Sequence, residues 1–200
     1  MFKPTFQPER WNADPNVTNS HNCYSYFLDK INPHLTKKCR TDQCSYHNQL
    51  KPQPGHHSRQ HRPIGDQPHL YTCDNMVQRV LDDNPHINLT SRDAPCPPSS
   101  YKGALVVDPG QTYHFYRQDR DGTWSHKDGA NPATRLDASG QSITDVEQAN
   151  HNYGYSKRDQ RAVHYEDFCG YFCIPTDPDK KFMDRISQQE WRTFVAKIPI

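Results

Sequence analysis

Residues 34 to 70 hold six of the twelve histidines and several prolines but almost no aliphatic side chains, so this stretch has nothing with which to build a core of its own. It reads as a His/Pro-rich surface insertion, and it confines the core to the segments on either side. The apolar fraction of the chain is 32% and its mean hydropathy −1.08, which leaves only a small core. At 200 residues the rest fits one domain over 21–200, preceded by an extended arm at 1–20 that is rich in Pro and Asn and lacks periodicity.

Charge excludes one class of partner. The 24 Lys and Arg are matched by 23 Asp and Glu, so no global field or charged tail favours nucleic acid. No stretch approaches the roughly 18 apolar residues of a membrane span, and the start MFKPTFQPERW lacks the apolar core of a secretory leader. The reading is a soluble chain of unknown compartment. Seven cysteines form an odd set, so at least one is left unpaired and needs a role. Asn16-Val-Thr and Asn88-Leu-Thr match glycosylation acceptors, which matter only on a secretory route.

Periodicity places the ordered elements. Tyr24, Phe27, Leu28 and Ile31 fall on one helical face, with Asn22 placed to cap the helix and Pro33 to stop it, so Cys23 sits in its first turn. Met76, Val77, Val80 and Leu81 give a second helix closed by Pro85. After the Pro-rich break at 96–99 the chain turns to sheet: Tyr101 to Val107 reads as a buried strand and Thr112 to Arg117 as a half-exposed one. Asp121-Gly122 is a tight-hairpin signal that puts His114 and His126 on neighbouring antiparallel strands. A strand at Phe168 to Ile174 and a closing helix at Ile186 to Val195 complete an α+β arrangement.

A thiol becomes a nucleophile when its thiolate is stabilised, and a helix start does this with free N–H groups and the positive end of the macrodipole. A neighbouring imidazole holds the proton, and a further polar group fixes that imidazole's tautomer. Cys23, His114 and His126 are the candidates for these roles. A helix-opening Asn22-Cys23-Tyr24, the strand Gly103-Ala-Leu-Val-Val, Tyr113-His114-Phe115-Tyr116 on the next strand, a tight turn and a second histidine resemble papain-like cell-wall peptidases of the NlpC type. That resemblance implies a papain-like fold with Cys23 as nucleophile, His114 as base, His126 as orienter, Tyr24 and Tyr113 flanking the cleft, and no cofactor. The wording NCYSY, HFYRQDRDGTWSHKDG, LDASGQSI and DFCGYFC also resembles a poorly characterised group found in bacteria and large DNA viruses. The usual Asp-Cys-Ser-Gly nucleophile context is absent, and the insertion enlarges the separation of Cys23 from His114.

Plainer readings stand beside these. Cys23 is also a candidate small hydrophobe or half-cystine, His114 a satisfied sheet histidine, His126 a hairpin surface residue, and Asp137 and Asp145 turn caps or alternative orienters. Cys39, Cys44 and His47 are zinc-type ligands at a spacing that matches no common finger. Cys169 and Cys173 lie too far apart along one strand to bond each other. Three functions follow: a cysteine hydrolase cutting an amide in a peptide or peptidoglycan-like substrate, a structural or interaction protein, such as a minor virion component, contacting other virion proteins through its arm, or a zinc-stabilised binding module centred on the histidine-rich loop.

Overall fold

The computed structural model describes residues 3–41, 51–64, 67–156 and 161–183. It is α+β, with helices first and a mostly antiparallel sheet after them. The N-terminal segment departs from the expected extended arm. It folds into α1 (Pro8–Asn12) and α2 (Pro15–Ser20), each opened by a proline, whose missing N–H is one of the unpaired donors of a first turn in any case. Asp14 caps α2 by accepting the Asn16 N–H. Trp11 is fully buried against Tyr26, with ring centroids 4.9 Å apart, so this segment belongs to the core.

Helix α3 (Cys23–Phe27) opens where the capping argument places it, with the Asn22 side chain accepting the Ser25 N–H. It is shorter than its apolar pattern suggests. Asp29 takes a left-handed conformation at φ 48° and the Lys30 N–H returns to the Ser25 carbonyl at 3.0 Å, a Schellman-type stop that leaves Ile31 outside the helix. Pro33 therefore begins a further helix, α4 (Pro33–Thr41), where the insertion was expected to be irregular. The remainder of the insertion at 51–64 is irregular but not wholly superficial, since Ile64 is buried in the main core. Helix α5 (Cys73–Asp83) matches the second periodic segment, capped by Thr72.

The six-stranded sheet has the spatial order β1 (Asn88–Thr90), β8 (Asp167–Pro175), β2 (Ser100–Asp108), β3 (Thr112–Gln118), β4 (Trp124–Lys127) and β5 (Ala133–Thr134), all pairs antiparallel. A separate hairpin joins β6 (Asn152–Ser156) to β7 (Arg161–His164). Period-two alternation sends Leu105, Val107, Tyr113 and Phe115 to a core under α3 and α5, and Ala104, Val106 and Tyr116 to a second core with Trp124, Val146 and Tyr165. Strand β3 was expected to have one wet face. Both of its faces are covered because Ile143, Val146, Val163 and Tyr165 pack over the second one. The expected closing helix at 186–195 lies outside the described residues.

Two disulfides brace the sheet to its surroundings. Cys73–Cys169 ties the first residue of α5 to β8, and Cys96–Cys173 ties the Pro-rich break to the same strand. Cys169 and Cys173 thus bond elsewhere rather than to each other. No helix among the described residues is long and apolar enough to cross a membrane.

Candidate functional site

Cys23 is a free, buried thiol at the first residue of α3. The Phe115 and Tyr24 N–H groups point at its sulfur, which sets the thiol against β3 at the residue next to His114. These donors favour the thiolate, but they lose. Burial and then the Asp128 carboxylate push the thiol up to about 12, while Phe115, Tyr24 and the Lys127 ammonium act in the opposite sense. At neutral pH Cys23 is a protonated thiol. A five-residue helix has a small dipole, and the cost of a buried anion exceeds what it returns.

The two strand histidines come together. His126 lies opposite Tyr116 across the β3–β4 ladder, and its Nδ1 is 2.8 Å from Nε2 of His114. The tautomers follow from the far end of the chain of bonds. His126 Nε2 is 2.9 Å from the Leu136 carbonyl, which only accepts, so Nε2 carries the hydrogen and Nδ1 a lone pair. His114 Nε2–H then donates to that lone pair, and Nδ1 of His114 is left as a bare acceptor. Burial, and then the neighbouring His126 and His151, hold His114 well below the usual imidazole range, and burial lowers His126 too, so both rings are neutral at pH 7. The Tyr165 ring stacks on His114 with centroids 5.3 Å apart and fixes its plane.

Chemically this is an oriented neutral base with Nδ1 available, the relation that a thiol–imidazole pair requires of its imidazole. No hydrogen bond joins Cys23 to His114 among the described residues. The structure therefore assembles the His114–His126 half of the arrangement and places Cys23 against the same strand with its proton in place. Tyr24 does not line a cleft: its hydroxyl donates to Asp83 and accepts from Asn84, a structural use. Tyr113 is buried among the main-core side chains and stacks near Tyr71.

The remaining candidates have other work. Asp137 accepts the N–H groups of Ser139, Gln141 and Asn150 and so caps its turn, and Asp145 pairs with Arg92, so neither orients a histidine. Cys39 is disulfide-bonded, which removes it as a zinc ligand, while Cys44 and His47 lie outside the described residues. Among the described residues no group of three His, Cys, Asp or Glu side chains is placed to hold a metal ion.

Sequence reasoning passes over a second imidazole set. The Tyr116 hydroxyl donates to His151 Nδ1 at 2.9 Å, and His151 Nε2–H donates to the Val146 carbonyl at 2.8 Å. Asp128 and Tyr165 are likewise silent in the sequence, since no local pattern ties them to Cys23 or His114. Lys127, beside Asp128, is buried and donates to the carbonyls of Thr18, His21 and Gly129, which locks the end of α2 to β4.

Fold and site together define a class: an α+β protein with a disulfide-braced antiparallel sheet, holding a buried protonated cysteine beside a paired, neutral histidine relay. No protein-family model and no solved structure matches the chain. A curated protein does. Insoluble matrix shell protein 1 of Ruditapes philippinarum is 34% identical over 145 residues, a span that covers 72% of this chain and 79% of that protein. The chain belongs to the family of that matrix shell protein.

Proposed function

We propose that this chain is a structural protein of an insoluble matrix, and that its Cys–His–His arrangement is a packed part of its core rather than a working site. The observation that carries this reading is the kinship with a matrix shell protein across most of both chains. The site is in keeping with it, because a nucleophile must reach the thiolate near neutral pH and burial holds Cys23 as the thiol. The disulfides support an oxidising location, where such bonds persist. Its partners are then other matrix components. Fractionation of the source material tests the proposal: the chain should stay with the residue left after salt and detergent extraction and leave it with denaturant and reductant together. Full recovery in the first aqueous extract would overturn it.

One observation favours a second reading, a papain-like cysteine hydrolase of the NlpC type acting on peptide or peptidoglycan-like amides. It is the His114–His126 tautomer relay, which leaves a lone pair on His114 Nδ1. In this reading substrate binding opens the Cys23 region, His114 takes the thiol proton, His126 orients the base, and an acyl-enzyme is then hydrolysed. Labelling by an activity-based thiol probe that Cys23→Ala and His114→Ala both abolish would support it. Absence of labelling, with no cleavage of peptidoglycan stem peptides, would sink it.

A further inference from the structure

The two glycosylation triplets remain unused by either reading, and the fold treats them differently. Asn16-Val17-Thr18 is absorbed into α2: Asn16 Nδ2 donates to Asp14 Oδ1 at 2.8 Å, Val17 is buried, and the Thr18 hydroxyl donates to the Trp11 carbonyl at 2.8 Å. Asn88-Leu89-Thr90 is the whole of β1, the outermost strand of the six-stranded sheet, and Asn88 is exposed.

The state of that edge is a second observation. A sheet edge offers unpaired N–H and C=O groups to any passing strand, and proteins blunt it with charge, proline or a cover. The opposite edge is covered: at Ala133 on β5 the Asn12 carboxamide accepts the N–H at 2.7 Å and donates to the carbonyl at 3.2 Å. Strand β1 has no cover among the described residues and carries neither charge nor proline. Its middle side chain, Leu89, is 53% exposed. An uncharged bare edge with an apolar centre is a pairing hazard unless something bulky and polar stands beside it.

We propose that Asn88 carries an N-linked oligosaccharide that shields this edge. The proposal stands apart from the matrix and hydrolase readings and is compatible with either. Disulfide formation places folding of the chain in an oxidising compartment, which in cells with a secretory route is also where asparagine-linked transfer takes place. Timing permits transfer to Asn88, since among the described residues β1 pairs with β8, which is synthesised long after it, so the triplet stays unpaired while the transferase acts. The donor is a polyprenyl-pyrophosphate-linked oligosaccharide. Its anomeric carbon–oxygen bond to phosphate breaks, a carbon–nitrogen bond forms to Asn88 Nδ2, the amide nitrogen gives up one proton, and the lipid pyrophosphate leaves. No oxidant or reductant is required.

The test uses the full chain from its native source, denatured and digested, with peptide N-glycosidase treatment in heavy-oxygen water. The expected result is a heavy-oxygen mark at position 88 and loss of the sugar mass from that peptide. In secreted recombinant protein, Asn88→Gln and Thr90→Ala should each remove the mass step, while Thr90→Ser should keep it, because only the hydroxyl at the third position matters. An Asn88 peptide recovered wholly unmodified from protein whose disulfides are intact would overturn the proposal, as would sugar found at Asn16 alone.

Discussion

A thiol at the start of a helix is pulled two ways, and Cys23 records which pull is stronger. The Phe115 and Tyr24 N–H groups favour the anion, but they act on a residue only 6% exposed, with the Asp128 carboxylate near it. With the thiol near 12 instead of the ordinary 9, the thiolate population at neutral pH falls by roughly 10³. Iodoacetamide should accordingly leave Cys23 unlabelled in the native protein at pH 7 and label it promptly in denaturant. His114→Ala should not change the native rate, since no bond couples the two side chains. Prompt native labelling, read by mass spectrometry, would show that the thiol is reachable and ionised after all. The sequence pattern alone identifies the helix start and the Asn22 cap. It reports neither how deeply the sulfur is buried nor the carboxylate that opposes its thiolate, because Asp128 arrives from a segment more than a hundred residues away.

At the scale of elements, α3 and β8 carry the packing, and Gly103 on β2 is the point where they meet. A Cβ built there would collide with the Phe27 ring and would lie 2.6 Å from Ile174 Cδ1, both in the main core. Gly103→Ala should therefore cost about 1 to 3 kcal/mol by overpacking, visible as a lower denaturant midpoint at unchanged slope. An unchanged midpoint would mean that α3 floats on the sheet. Strand β8 is held by two disulfides whose sequence separations are 96 and 77 residues. Chain entropy assigns each such closure roughly 4.5 kcal/mol, so the paired substitution Cys73→Ala with Cys169→Ala should lower stability by about 2 to 5 kcal/mol in a thermal or urea melt, and an unaltered melt would count against the bond. Elements built on local signals were legible: the Asn22 and Thr72 caps, the Asp121-Gly122 turn and the alternating strands. The early stop of α3 was not, because a left-handed Asp29 has no motif. It is secured by the distant guanidinium groups of Arg10 and Arg117, at 2.5 and 2.7 Å. The buried N-terminal helices escaped for the same reason, since Trp11 finds its partner Tyr26 only in the folded chain.

For the molecule as a whole, the consequence of burying so many imidazoles is sensitivity to acid. His21, His114 and His126 are 0%, 1% and 2% exposed, and all three are lowered mainly by burial, His21 to about 4. A histidine lowered in the folded state takes up its proton more readily when unfolded, so its contribution is intact above the unfolded value near 6.5 and is lost as pH falls below it toward the folded value. Each group then steepens the loss by at most about 1.4 kcal/mol per pH unit, and three together approach ~4 kcal/mol per unit. That is a large part of the 5 to 15 kcal/mol that ordinarily separates folded from unfolded domains. His151, half-buried and also lowered, adds a smaller share in the same direction. Asp83 and Asp119, whose carboxyls burial raises, act in the opposite sense. The urea midpoint should be level from pH 8 to about 6.5 and fall steeply between about 6.5 and 5, with loss of near-ultraviolet circular dichroism as the three rings charge and the second core opens. A midpoint that holds constant down to pH 5 would mean that the imidazoles are already solvated, and the buried relay of His114 and His126 would have to be abandoned with them.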